Sequence, residues 1–324
     1  MTQSRRRFLG ASLALAATRL NAQERGGAGA PGSIIVPFTA GSTTDLIGRE
    51  VARLLGKTTG APYVVDNAPG ASGVIAVNQL LRRARDGKSL LVANSGLICN
   101  TPFLSSTPPG FKPKEDLVPI CTLAESPIFV FVGKDYPASN LAELKQSVQG
   151  RQEPLLYSVT AAGSALHVGG ALVLHMLGIK GQAVPYRNSD QVVIDVSENR
   201  LPMGVHVWNS MAPFVQSGRI KVLAVLSERP FSAAPQIATA DSQGLKGVDI
   251  YGWLGLFMAA GESDGTIQGY EGRLRAFFSD REFPDFISKL SYVPSFRDSR
   301  SSRSFVDAET RRYEKLMKEL NISV

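Results

Sequence analysis

Residues 33–56 read SIIVPFTAGSTTDLIGREVARLLG. Ser33–Phe38 is a short, continuous apolar run of the kind that forms a buried strand. From Thr44 the period changes. Ile47, Val51, Leu54 and Leu55 fall on one face of a helix that closes at Gly56. Between the two lies P-F-T-A-G-S-T-T-D, a turn of small and hydroxyl residues with Asp45 near the helix start. A buried strand, a small-residue turn and an amphipathic helix form the repeating unit of an α/β fold.

The same unit recurs along the chain. Strands are predicted at Tyr63–Asp66, Ser89–Ala93, Ile128–Val132, Leu155–Ser158, Gln182–Pro185, Met203–Val207, Val222–Leu226 and Leu254–Met258. Helices are predicted at Val74–Arg85, Leu141–Val148, Ala165–Leu177, Gln191–Ser197 and, amphipathic and charged, Arg303–Leu320. Alternating strands and helices imply mainly parallel sheets, and about 300 mature residues suit two such domains. No internal repeat of fixed sequence period is visible. After the first twenty-odd residues, no apolar run reaches the length of a membrane span.

The 324 residues are 44% hydrophobic and 19% charged, which excludes wholesale disorder. Only two cysteines, Cys99 and Cys121, are present, so the chain is no disulfide scaffold. They read either as a bridge formed in an oxidising compartment or as two buried thiols. The net charge of +7 owes much to the N-terminus, where Arg5, Arg6, Arg7 and Arg19 stand without an acidic residue. Without residues 1–22 the chain has 31 basic and 28 acidic residues, and no nucleic-acid signal is left.

Ser4-Arg5-Arg6-Arg7-Phe8-Leu9, followed by apolar Ala11–Ala17, is a charged region before a short apolar one, too short to span a membrane. It resembles a twin-arginine export signal, ending at Leu20-Asn21-Ala22. Residues 1–22 are therefore expected to be a signal peptide and residues 23–32 (QERGGAGAPG) a flexible linker, which places the mature chain in the periplasm.

Familiar catalytic motifs are missing: H-E-x-x-H, C-x-x-C, G-x-x-x-x-G-K-[ST], G-x-S-x-G and a helix-opening G-x-G-x-x-G. His167 and His175 are eight residues apart, roughly 80° around a helix, so they do not make a natural chelating pair. Ser164 with His167 or His206 would be the only hydrolase pairing, and no spacing supports it. No metal, cofactor or enzyme activity is expected. The distinctive chemistry lies in four turns: residues 37–45, 66–73 (DNAPGASG), 94–96 (NSG) and 158–164 (SVTAAGS). In open α/β sheets ligands bind beyond the strand ends, where such turns lie, and helix N-termini there favour an anion. Small residues let the backbone approach it. The turns read equally as ordinary helix starts, with Asp45 and Ser164 as caps.

P-F-x-A-G-S-x-x-D at 37–45, D-N-x-P-G-A-S-G at 66–73, D-G-K-S-L-L at 86–91, V-P-Y at 184–186, G-R-I-K-V-L-A-V at 218–225 and W-L-G-L at 253–256 occur together in order. Over residues 33–320 the chain resembles the periplasmic solute receptors of tripartite tricarboxylate transporters, often called Bug receptors. The resemblance implies a type II periplasmic binding protein with two α/β lobes joined by two crossing strands. One lobe would hold residues 33–123 and 252–324, the other 124–251. A small carboxylate would lie between them. Phe38, Thr39, Ala40, Gly41, Ser42, Thr43 and Asp45, with Ser95, would contribute from the first lobe. Ala161, Ala162, Gly163, Ser164 and His167 would contribute from the second. The implied partners are the carboxylate and the membrane permease subunits of the transporter, with the receptor itself a monomer. Service to a two-component sensor kinase is one alternative, and an α/β enzyme of hydrolase type is the other.

Two departures from the family pattern bear on the ligand. The first turn reads A-G-S where the family usually has A-G-G, and His206 stands near a common Asp. An Asp would pair with the ammonium of an amino acid. A His is a poor partner for that group and can donate to a second carboxylate instead. His206 is read either as a wall residue or as a ligand contact. In the second case dicarboxylate affinity would rise as pH falls through about 6.5.

Overall fold

The computed structural model describes residues 31–83, 87–103, 110–186 and 189–322. The expected signal peptide and nearly all of the linker lie outside these residues. Gly32, placed in the linker by sequence, is the first residue of a strand.

Ten strands are described: β1 Gly32–Val36, β2 Tyr63–Asn67, β3 Ser89–Asn94, β4 Leu117–Gly133, β5 Leu155–Val159, β6 Gly181–Pro185, β7 Gly204–Val207, β8 Ile220–Val225, β9 Tyr251–Ala259 and β10 Val293–Pro294. The principal helices are α1 Thr43–Thr59, α2 Val74–Arg82, α3 Leu141–Ser147, α4 Ala165–Leu177, α5 Ser189–Ser197, α6 Trp208–Gln216, α7 Asp264–Ser279, α8 Glu282–Lys289 and α9 Ser299–Glu319.

One path through the main sheet runs β10-β4-β9-β3-β1-β2, and β7 and β8 also pair with β4. The 17-residue β4 organises the molecule. Its first part, Leu117–Pro127, pairs antiparallel with β9. Its second part pairs antiparallel with β7 and β8. The chain comes back beside it, Leu226 N–H donating to Ile128 O at 2.8 Å and Ile250 N–H to Leu226 O at 2.7 Å. β4 and the entry to β9 thus form a ribbon between two sets of elements.

The expectation of mainly parallel sheets is corrected. β1 pairs parallel with β2 and β3, and β5 with β6. Every ladder made by β4 or β9 is antiparallel. The order of strands and helices does not reveal this, because β4 joins several strands without being one end of a strand–helix–strand unit.

Each side has its own packing. The predicted face of α1 (Ile47, Val51, Leu54, Leu55) is buried with Ile34 and Val36 of β1 and Leu90 and Val92 of β3. Each such side chain contributes about 1.5–3 kcal/mol relative to exposure. On the other side Phe129 and Phe131 of β4 pack with Val192, Val193 and Val196 of α5 and Met211 of α6. Cys99 and Cys121 are buried free thiols, not a bridge. Burial pushes the Cys99 thiol up to about 12 and raises Cys121 as well, so both stay protonated and unreactive. α7 forms despite Gly265, Gly269 and Gly272, with Ser263 capping it by accepting Thr266 N–H at 3.1 Å.

Candidate functional site: a cleft between two braced turns

Three of the four turns read from sequence, residues 37–45, 94–96 and 158–164, open onto a common cleft, and two of them, 37–45 and 158–164, share one local construction. In the first, Gly41 has φ +83°, a region open to glycine and strained for most residues. Ser42 caps α1, its Oγ accepting Asp45 N–H at 3.2 Å. Ser42 N–H donates to Thr39 O at 3.2 Å. Gly41 N–H donates to Asp45 Oδ2 at 2.8 Å.

In the second, Gly163 has φ +65°. Ser164 caps α4, its Oγ accepting His167 N–H at 3.3 Å. Ser164 N–H donates to Ala161 O at 3.1 Å. Gly163 N–H donates to His167 Nδ1 at 3.0 Å. Gly-Ser-Thr-Thr-Asp and Gly-Ser-Ala-Leu-His are thus one pentad used twice. The glycine and serine amides are tied inside the turn, and the residue at the fifth position braces it. Thr43 and Thr44, and likewise Ala165 and Leu166, supply the first-turn N–H groups that helix geometry leaves without an intrahelical acceptor. All four residues line the cleft.

The cleft has a volume of about 850 Å³. From the first turn Phe38, Thr39, Ala40, Gly41, Ser42 and Thr43 line it, and Asn94, Ser95 and Gly96 line it from the turn after β3. From the second turn Ser164 lines it, but Ala161, Ala162 and Gly163 are not in its wall. Asp45 and His167 also stand outside the wall. Asp45 is buried below the first turn and further held by Arg49 Nε at 2.9 Å and Asn67 Nδ2 at 2.9 Å. His167 lies 6.2 Å from the Tyr157 ring and lines a separate hollow with Tyr157 and His175. Its Nδ1 serves the Gly163 amide, an arrangement for bracing the turn rather than for activating Ser164.

His206 is in the cleft wall, buried, with Nδ1 accepting Val207 N–H at 2.9 Å. The neutral ring therefore carries its proton on Nε2. Sequence reading singled out neither the ribbon nor the start of α6 as part of the site. From the ribbon come Ser126 and Gly252, directly paired across β4 and β9. From the start of α6 come Asn209 and Ser210, and Tyr292 completes the wall. Burial pushes the Tyr292 hydroxyl up, with a weaker opposing pull from its hydrogen bond to Ser126, so it stays neutral. No Asp, Glu, Lys or Arg side chain lines the cleft among the described residues. Hydrogen bonds cross between its sides from Asn209 Nδ2 to Thr43 Oγ1 at 3.1 Å and from Asn100 Nδ2 to Gly163 O.

Burial raises the Asp45 carboxyl, but hydrogen bonds from Arg49, Gly41 and Asn67 outweigh it and hold the group below its ordinary value. Its contribution to stability is present above its unfolded value and lost as pH falls through the lower folded one. Asp45→Ala leaves three donors without their acceptor. The variant is expected to lose about 1–3 kcal/mol of stability at pH 7, measured by urea unfolding. An unchanged transition would mean that Asp45 does not brace the turn.

An uncharged cleft flanked by two capped helix N-termini, on a ribbon shared by two α/β halves, defines a solute-binding protein of the two-lobed periplasmic type. The chain belongs to the tripartite tricarboxylate transporter receptor family, whose profile matches residues 47–322. Protein BugT of Bordetella pertussis is 24% identical over 291 residues, covering 89% of both chains. An R. palustris protein solved with adipate is 26% identical, with a TM-score of 0.82 over 91% of this chain and 99% of that one. The periplasmic binding protein BugD, 24% identical, shares the fold with a TM-score of 0.78 over 91% and 99% of the two chains.

Proposed function

We propose that this receptor captures a small carboxylate in the periplasm and hands it to the membrane permease subunits of its transporter. Lobes 33–123 with 252–324 and 124–251 would close on the ligand, and the receptor would act as a monomer. The observation that carries the reading is the repeated pentad, which ties up the glycine and serine amides and leaves the next two residues of each helix start, all four in the cleft wall, to supply first-turn amides. Such a site attracts one carboxylate through backbone dipoles, each helix contributing about 0.3–1 kcal/mol and more when partly buried. Among the described residues, no acidic side chain in the wall could pair with an ammonium group. Dicarboxylates or monocarboxylates with uncharged tails are favoured over amino acids. The similar R. palustris protein was solved with adipate.

A thermal-shift series of adipate, succinate, hexanoate, aspartate and lysine tests this. A ligand at 100 times its dissociation constant stabilises by about 2.7 kcal/mol. Adipate, succinate or hexanoate is expected to raise the midpoint, and the two amino acids are not. The reverse pattern overturns the ligand class.

A further inference from the structure

The two pentads differ in one position that matters. The first is braced by a carboxylate and the second by an imidazole, and the two side chains place their acceptors alike. Asp45 Oδ2 takes Gly41 N–H, and His167 Nδ1 takes Gly163 N–H. Nδ1 can accept only while it carries no proton. A doubly protonated ring would set its own N–H against the Gly163 N–H, and the two donors cannot remain in place. The Gly163 carbonyl is held as well, by Asn100 Nδ2. Movement of Gly163 therefore disturbs the helix start that presents Ala165 and Leu166, and it disturbs the contact between the two sides of the cleft.

We propose that His167 is a positioning residue of the second anchor: its neutral ring holds the Gly163 turn in the binding geometry, and protonation of the ring releases that turn and weakens anion binding. The proposal rests on the reading of the cleft as a carboxylate site.

The surroundings support it. Burial lowers the ring below its ordinary 6.5. The titratable neighbours in its hollow are Tyr157 of β5, His175 of α4 and Glu319 of α9. Tyr157 is pushed up to about 12 by burial and stays neutral. His175 and Glu319 lie 3.8 Å from each other, an exposed pair. The neutral ring, and the stability it contributes, is fully present above about 6.5 and lost as pH falls from there through the lower folded value. Asp45 keeps its charge throughout that range, so only the second anchor yields in mild acid. This sign is opposite to that of a ligand-facing His206, which would strengthen dicarboxylate binding on acidification.

Two measurements on the mature chain decide it. In the ligand-free protein, imidazole nitrogen resonances are expected to show the neutral His167 ring protonated at Nε2. The Gly163 amide resonance should follow the titration of that ring. A neutral ring protonated at Nδ1, or a Gly163 amide indifferent to the titration, overturns the proposal whatever the ligand.

Calorimetry with adipate forms the second arm. The wild-type protein is expected to bind about tenfold more weakly one pH unit below the ring's own titration midpoint, as found in the first arm, than at pH 7.5. His167→Asn puts Oδ1 where Nδ1 stood. It should keep the pH 7.5 affinity within about threefold and lose clearly less than the wild type at the lower pH, its remaining loss being that of adipate's own carboxylates as they protonate. His167→Phe should be weak at both. The same acid loss in His167→Asn as in the wild type contradicts the proposal. If adipate fails to bind the wild type, the ligand reading fails, and the resonance experiment still decides the role of His167.

Discussion

Gly163→Val is expected to abolish carboxylate binding while leaving the fold near native. Gly163 sits at φ +65°, where a β-branched residue is strained. Its N–H and C=O are both committed, to His167 and to Asn100. Valine cannot keep this conformation cheaply, so the peptide turns and both contacts are lost. Strain of about 1–3 kcal/mol, relieved by moving the turn, displaces the amides of Ala165 and Leu166. Affinity for adipate should fall by at least about 100-fold, because anion binding at a helix start depends on amide direction. The cores that hold the rest of the chain do not include this residue. Calorimetry alongside circular dichroism checks both halves. An unchanged affinity with a folded protein would remove the second turn from the site.

Ala165→Asp is expected to abolish binding in a protein that still folds. Ala165 is the first residue of α4 and lines the cleft. A carboxylate there complements the helix dipole and occupies the place reserved for the ligand's own. Adipate affinity should fall by at least about 100-fold, through occupancy and like-charge repulsion. Ala165 is buried, so the new charge is also expected to cost about 1–3 kcal/mol of stability despite the dipole gain, and circular dichroism should show the variant still folded. Retained tight binding would show that the carboxylate does not sit at the start of α4.

The first turn and α1 were legible in the sequence because two periods meet there, an apolar run and a face of Ile47, Val51, Leu54 and Leu55. The second turn was legible for the same reason. The direction of side chains was not. A residue three positions after a cap is placed on the helix by spacing, but whether its ring faces the ligand or folds back to the turn depends on rotamer and neighbours. Asp45 and His167, both taken from the family likeness as ligand residues, stand behind the turns as braces. The shared pentad was hidden because Asp and His have little in common except an acceptor at the same reach.

The full length of β4 was obscured by Pro119 and Pro127, residues that usually break a central strand. Register shifts accommodate the irregular stretch near Pro119, and Pro127 marks the point where the strand passes from β9 to β7 and β8. Pro213 hid α6 in the same way, although the helix runs through it. With those two elements unread, Ser126, Gly252, Asn209 and Ser210 carried no local signal. They come to the cleft only when the ribbon crosses and the two sides meet.

The most direct measurement is a crystal structure of the mature protein with adipate. One carboxylate is predicted to lie within about 3 Å of amide nitrogens drawn from Thr43, Thr44, Ala165 and Leu166, with the far end toward the His206 wall. A carboxylate bound in the cleft through side chains alone, or held outside it, would contradict the two-turn anchor.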